Sequence, residues 1–98
     1  MTIKKELNGK SLKLFLIGRL DATTAPMLEA ELKAYIDELE SIEIDFEELE
    51  YISSAGLRVL LFAQKIMNKQ GKMIIKHVNE TIQEIFEVTG FIDILTVE

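Results

Sequence analysis

The chain contains no cysteine and no tryptophan, a single histidine (His77) and a single proline (Pro26). The missing thiols exclude disulfides, thiolate metal sites and a cysteine nucleophile. One histidine cannot build a histidine metal cluster, and no metal or cofactor is expected. No apolar run approaches the roughly 20 residues of a membrane span, so no membrane insertion is expected. Met1-Thr2-Ile3-Lys4-Lys5 lacks the apolar stretch of a signal peptide, which makes the cytoplasm the expected location. Cations are scarce as well: 11 Lys+Arg against 17 Asp+Glu leave a formal charge of −6. Such a chain is a poor binder of phosphate backbones through bulk charge, so no nucleic-acid partner is expected. No Pro/Gly/Ser-rich linker, internal repeat or low-complexity stretch divides the sequence, and residues 1–98 read as one domain. What is present is an ordinary globular balance, 48% hydrophobic and 29% charged, sufficient for a core without staples.

The local pattern alternates strands with helices. Asn8-Gly9 between extended runs predicts a hairpin turn with positive φ at both central positions. Ile3, Lys5 and Leu7 alternate before it, and Leu12, Leu14 and Leu16 after it. The second strand turns apolar on both faces, which predicts an interior position in the sheet. Leu28, Leu32, Tyr35, Ile36 and Leu39 share one helix face, with Thr23 or Thr24 as cap and Pro26 in the first turn. Ile42, Ile44 and Phe46 predict a third strand, followed by a short acidic connection over Glu47–Tyr51. A second helix is expected from Ser54 to Asn68, stopping near Gly71. A fourth strand over Met73–Val78, a third helix capped by Asn79 and ended by Gly90, and a last short strand over Ile94–Val97 complete the reading. The expected fold is an α/β layer structure in the order β-β-α-β-α-β-α-β, with a mixed, mostly parallel sheet.

The second helix carries the informative residues. At 100° per residue, Val59, Leu60, Ala63, Ile66 and Met67 cluster on a core-facing side, and Arg58, Gln64, Lys65 and Asn68 on the other. Leu57 and Leu61 fall in or beside the polar sector, so an exposed edge of Ser54, Leu57/Arg58, Leu61 and Lys65 is expected. A hydroxyl followed by outward leucines and a cation has the makings of a docking surface. The plainer alternative makes the serine an N-cap and lets neighbouring loops cover the leucines. A phosphate on such a serine would add about −1.5 to −2 charges beside the free N–H groups and positive dipole end of a helix, within reach of Arg58. The fold would tolerate it, whereas a partner packed over a neutral serine would have to desolvate a dianion. Against a charge of −6 the total changes little, so the effect depends on where the charge lands.

Three stretches, in order, resemble the STAS domain of anti-sigma factor antagonists. The core is Asp45-Phe46 followed by Tyr51-Ile52-Ser53-Ser54-Ala55-Gly56-Leu57-Arg58-Val59-Leu60-Leu61. Leu16-Ile17-Gly18-Arg19-Leu20-Asp21 leading into Ala25-Pro26-Met27-Leu28-Glu29 is similar to the family's second strand and first helix, and Glu87-Val88-Thr89-Gly90-Phe91 to its third helix and following turn. The resemblance implies partner switching: an unphosphorylated antagonist binds an anti-sigma serine kinase, phosphorylation at the start of the second helix releases it, and a PP2C-type phosphatase reverses the change. It implies a substrate and ligand rather than an enzyme. Many family members read Asp-Ser-Ser-Gly or Asp-Ser-Thr-Gly here. Aligning Gly56 with the family glycine puts Ser53 at the aspartate, Ser54 at the first hydroxyl and Ala55 at the second. Ser54 is therefore the expected phosphorylation site with Ser53 in reserve, and Asp21, Ser53, Ser54, Leu57, Arg58 and Leu61 the expected partner-binding set. Asp21 matches a family acidic position near this turn, and it also suits a loop or capping aspartate.

Rival chemistry is thinner. Asp45 with Glu47, Glu48 and Glu50 can be written as a Mg²⁺ or acid–base site, but a solvated acidic loop is the simpler expectation. Ser54 with His77 suggests a nucleophile and base, yet nothing identifies an oxyanion hole. Met27, Met67 and Met73 read as core filler, and Tyr51 and Phe62 as possible extensions of the docking surface. The second functional reading is a non-phosphorylated STAS scaffold in a larger complex such as a lipid-transport ATPase.

Overall fold

A computed structural model describes residues 1–98. Four strands, β1 (Thr2–Asn8), β2 (Ser11–Leu20), β3 (Ser41–Ile52) and β4 (Lys72–Lys76), form one sheet in the spatial order β1-β2-β3-β4. Helices α1 (Ala25–Tyr35), α2 (Ser54–Gln70) and α3 (Glu80–Thr89) follow β2, β3 and β4 in turn. The hairpin makes β1 antiparallel to β2, and helical crossovers make β2–β3 and β3–β4 parallel. The expected α/β class and mixed sheet are present, with β2 inside the sheet.

Both crossovers step the same way across the sheet, so the right-handed rule places α1 and α2 on one face. Burial follows. Leu12, Leu14 and Leu16, Ile42 and Ile44, and Met73 and Ile75 are fully buried beneath the helices. Their alternates Lys13, Phe15, Ile17, Glu43 and Ile74 are half-buried on the opposite face. There Glu43 bridges Lys13 (3.2 Å) and Lys76 (3.3 Å) across three strands. α3 adds Ile82 and Phe86 to the core, with the Phe86 ring 6.4 Å from that of Phe46.

Several local expectations shift. The hairpin turn is Gly9-Lys10 rather than Asn8-Gly9: Asn8 pairs with Ser11, and Gly9 alone takes a positive φ, of 60°. That places glycine first in the turn, the arrangement of a type II′ hairpin. Glu47–Tyr51 is no acidic connection but the continuation of β3. Its register against β2 slips between Phe15 and Ile17, so Asp45 opposes Phe15 while Glu48 opposes Ile17. The extra residue is a bulge, and beyond it Leu49 and Ile52 are buried while Glu47, Glu48 and Glu50 stay wet. The last strand reduces to one bridge, Ile75 to Val97, after a 3₁₀ turn at Phe91–Asp93. Met27 is 46% exposed and so is not core filler, unlike Met67 and Met73. Asn79 caps α3 as expected, accepting from the Ile82 amide at 2.8 Å, and Gly90 ends the helix in the left-handed region.

Candidate functional site

β2 and β3 run parallel and end side by side at Leu20 and Ile52. Their following turns are therefore neighbours at one end of the sheet. The Ser53 amide donates to the Leu20 carbonyl at 2.9 Å, tying the start of α2 to the residue before Asp21. Gly56 makes the close approach feasible. A Cβ there would stand 2.7 Å from Leu20 Cγ and 2.8 Å from Ile52 Cγ1, so only a glycine lets the first turn of α2 rest on both strand ends.

The two serines divide their roles. Ser53 is the N-cap: its backbone is extended, its carbonyl accepts from the Leu57 amide at 3.0 Å, and its hydroxyl accepts from the Gly56 amide at a long 3.5 Å. Ser54 is the first helical residue, solvent-exposed, and its hydroxyl makes no hydrogen bond within the chain. The amides of Ser54 and Ala55 precede the helical ladder and are left for solvent or an anion. Arg58 is exposed one turn on. It shares a shallow cleft of about 280 Å³ between α1 and α2 with Pro26, Glu29, Ala55 and Phe62.

Asp21 closes the adjacent turn. Its Oδ1 accepts from the Thr23 hydroxyl (2.7 Å) and the Thr23 and Thr24 amides (3.0 and 3.2 Å), while its own amide donates to the Thr24 hydroxyl at 2.8 Å. The Thr23 hydroxyl above all, then the two amides, hold this carboxyl below the ordinary aspartate range against the opposing effect of desolvation. Thr24 occupies the N-cap position of α1 without a side-chain capping bond, since its hydroxyl is engaged with the Asp21 amide and the Arg19 carbonyl, each at 2.8 Å.

One expected docking residue, Leu57, and one residue of the expected polar side, Gln64, are placed differently. Leu57 is only 5% exposed and belongs to the main core, so it is not an outward leucine. Gln64, assigned to the wet side, is 4% exposed, with its amide nitrogen 2.8 Å from Asn68 Oδ1. The buried arc of α2 is wider than a single stripe and reaches round to the Leu57–Gln64 flank, which the regular polar pattern conceals. Leu61 remains partly exposed beside it. The structure thus gathers Asp21, Ser53, Ser54 and Arg58 at one end of the sheet, keeps Leu61 on the same helix, and withdraws Leu57. It adds Arg19, whose guanidinium lies 4.6 Å from the Tyr51 ring on the neighbouring strand. Only the register, which pairs Arg19 with Tyr51, reveals this cation beside the site. His77 is engaged elsewhere, with its Nδ1 3.0 Å from Asp45 Oδ1.

A STAS-domain profile matches residues 2–98. The chain belongs to the STAS domain family. This STAS domain is 40% identical over 82 residues to BtrV of Bordetella bronchiseptica, a protein described as an anti-sigma factor antagonist, covering 82% of this chain and 71% of that one. It is 30% identical over 96 residues to the anti-sigma-B factor antagonist of Listeria monocytogenes, covering 96% and 84%. Among solved structures, the anti-sigma factor antagonist SpoIIAA in its unphosphorylated form superposes with a TM-score of 0.78 at 18% identity, over 99% of this STAS domain and 87% of SpoIIAA. No helix here is long and apolar enough to cross a membrane.

Proposed function

We propose that the protein is a cytoplasmic anti-sigma factor antagonist that works by partner switching. Unphosphorylated, it binds an anti-sigma serine kinase over the start of α2. Phosphorylation of Ser54 releases it, and a PP2C-type phosphatase restores it. The protein is the kinase's substrate and ligand, not a catalyst. The observation that carries this reading is the exposed, unengaged Ser54 hydroxyl on the first residue of a 17-residue helix, with Ser53 already serving as cap. The curated relatives named as antagonists support the same direction.

The geometry favours Ser54 over Ser53. Esterifying Ser53 would encumber the oxygen that accepts from the Gly56 amide, whereas Ser54 can be modified without loss of a bond within the chain. A phosphate there meets free amides and the positive end of the α2 dipole, so the modified domain stays folded. What it alters is the surface around Asp21, Ser54, Arg58 and Leu61. Incubation with the cognate kinase and ATP, followed by mass mapping of the peptide containing Ser53 and Ser54, tests this. Phosphate on Ser54 is expected, and a chain left unmodified at both serines refutes the switch.

A further inference from the structure

We propose that the free edge of β1 pairs with β1 of a second copy of this chain, antiparallel and about a two-fold axis at Lys5. The fold treats its two sheet edges differently. Beside β4 the chain returns along Ile75, whose amide donates to the Thr96 carbonyl and whose carbonyl accepts from the Glu98 amide, each at 2.9 Å. β1 lies at the opposite edge, with β2 on one side and no strand on the other. It pairs with β2 over seven residues without a break in register, and it holds no proline. An extended edge of this kind is a template for another strand.

Register decides what the template fits. Asn8 and Ser11 close the two-residue turn and exchange hydrogen bonds, so alternation makes Glu6–Lys13, Lys4–Phe15 and Thr2–Ile17 hydrogen-bonded pairs as well. The backbone groups of Ile3, Lys5 and Leu7 therefore point away from β2, to the free edge. A second β1 running antiparallel bonds these groups when the two-fold axis falls at Lys4, Lys5 or Glu6. Centring on Lys4 sets that lysine against itself, and centring on Glu6 sets that carboxylate against itself. Centring on Lys5 sets Lys4 opposite Glu6 twice, in the non-hydrogen-bonded pairs whose side chains come closest. On the other face it sets Ile3 opposite Leu7 twice. The sequence of β1 is thus self-complementary in one register, as a closed two-fold interface requires.

Lysine on an edge strand ordinarily deters pairing, and at this axis the two Lys5 side chains would meet. Each ammonium is instead drawn back onto its own domain, 3.0 Å from Glu31 Oε2 and 5.1 Å from the centroid of the Tyr35 ring. Leu7 is 47% exposed although it opposes the buried Leu12, and Ile3 of the second copy would cover it. Seven residues make a small interface, and two copies of charge −6 repel, so a weak, concentration-dependent dimer is expected. The pairing is independent of partner switching, since Ser54 follows β3, two strands in from this edge.

Sedimentation velocity of the full chain from micromolar to millimolar concentration at physiological ionic strength, with amide hydrogen exchange at both ends of that range, tests the pairing. The mass is expected to rise with concentration towards that of two chains. Exchange should slow at Ile3, Lys5 and Leu7 and stay unchanged at Lys4 and Glu6, whose amides already bond β2. Lys4→Glu and Glu6→Lys each replace two attractive pairs by two repulsive ones, so each should weaken the dimer by about tenfold or more. An equimolar mixture of the two variants should restore it. Both positions are exposed, and circular dichroism should show both variants folded. The proposal is overturned by a chain that stays monomeric throughout, which would leave the edge to a strand of another protein. It is overturned equally by a dimer whose slowed amides lie elsewhere, by folded variants that each dimerise like the parent, or by a mixture that stays monomeric.

Discussion

Replacing Gly56 by alanine tests how the start of α2 is held. The added methyl would lie 2.7 Å from Leu20 Cγ and 2.8 Å from Ile52 Cγ1, and both partners are themselves buried to within 1%. Neither can swing into solvent, so α2 must lift or the strand ends must part. Overpacking of this kind costs about 1–3 kcal/mol. Alanine's better helix propensity returns at most about 1 kcal/mol, and less in a first turn. The net expectation is a loss of about 1–2 kcal/mol, which for a domain of this size lowers Tm by about 5–15 °C. Thermal and urea unfolding followed by circular dichroism would measure it. A lifted first turn would also lengthen the already long Ser53–Gly56 contact, so amide shifts should concentrate at residues 53–57. A Gly56→Ala protein as stable as the parent, with shifts spread evenly, would refute the claim that close packing on Leu20 and Ile52 positions this turn.

Leu57→Ala should destabilise by about 2–5 kcal/mol in urea unfolding, because the side chain is core, whereas Leu61→Ala should cost under about 1 kcal/mol and weaken kinase binding instead. Arg58→Ala should leave stability within about 0.5 kcal/mol of the parent and reduce affinity for the kinase in a binding titration. Asp21 has a depressed folded pKa, so its contribution to stability is present above its unfolded value of about 3.9 and is lost as pH falls through the lower folded value. A carboxyl NMR titration should show that lowered midpoint, and Thr23→Val, which removes the strongest donor, should raise it.

Much of the fold is legible in the sequence because local and global signals agree. Leucine alternation in β2, Asn79 before α3 and Gly90 after it each state their own structure. The misreadings arise where tertiary context overrides a local rule. Glu47, Glu48 and Glu50 look like a loop because the bulge after Asp45 breaks the period of two, yet Leu49 and Ile52 carry β3 onward as a buried strand. Leu57 looks outward on a helical wheel that assumes one buried side, whereas the core wraps a broader arc of α2. At the candidate site, the hydroxyl-rich turn and Asp21 are readable because parallel strands bring successive turns together. The Arg19–Tyr51 stack beside it is not, and neither is the Asp45–His77 pair away from it, since each joins residues 32 apart whose meeting depends on register.

In the proposed switch, a phosphate on Ser54 changes a binding surface without unfolding the domain. The direct measurement is the affinity of the cognate kinase for the unmodified protein and for protein carrying phosphoserine at position 54, with circular dichroism on both. Matching spectra are expected, with a loss of affinity of about a hundredfold, equivalent to about 3 kcal/mol. Equal affinity for the two forms, or a phosphorylated protein that has unfolded, would contradict it.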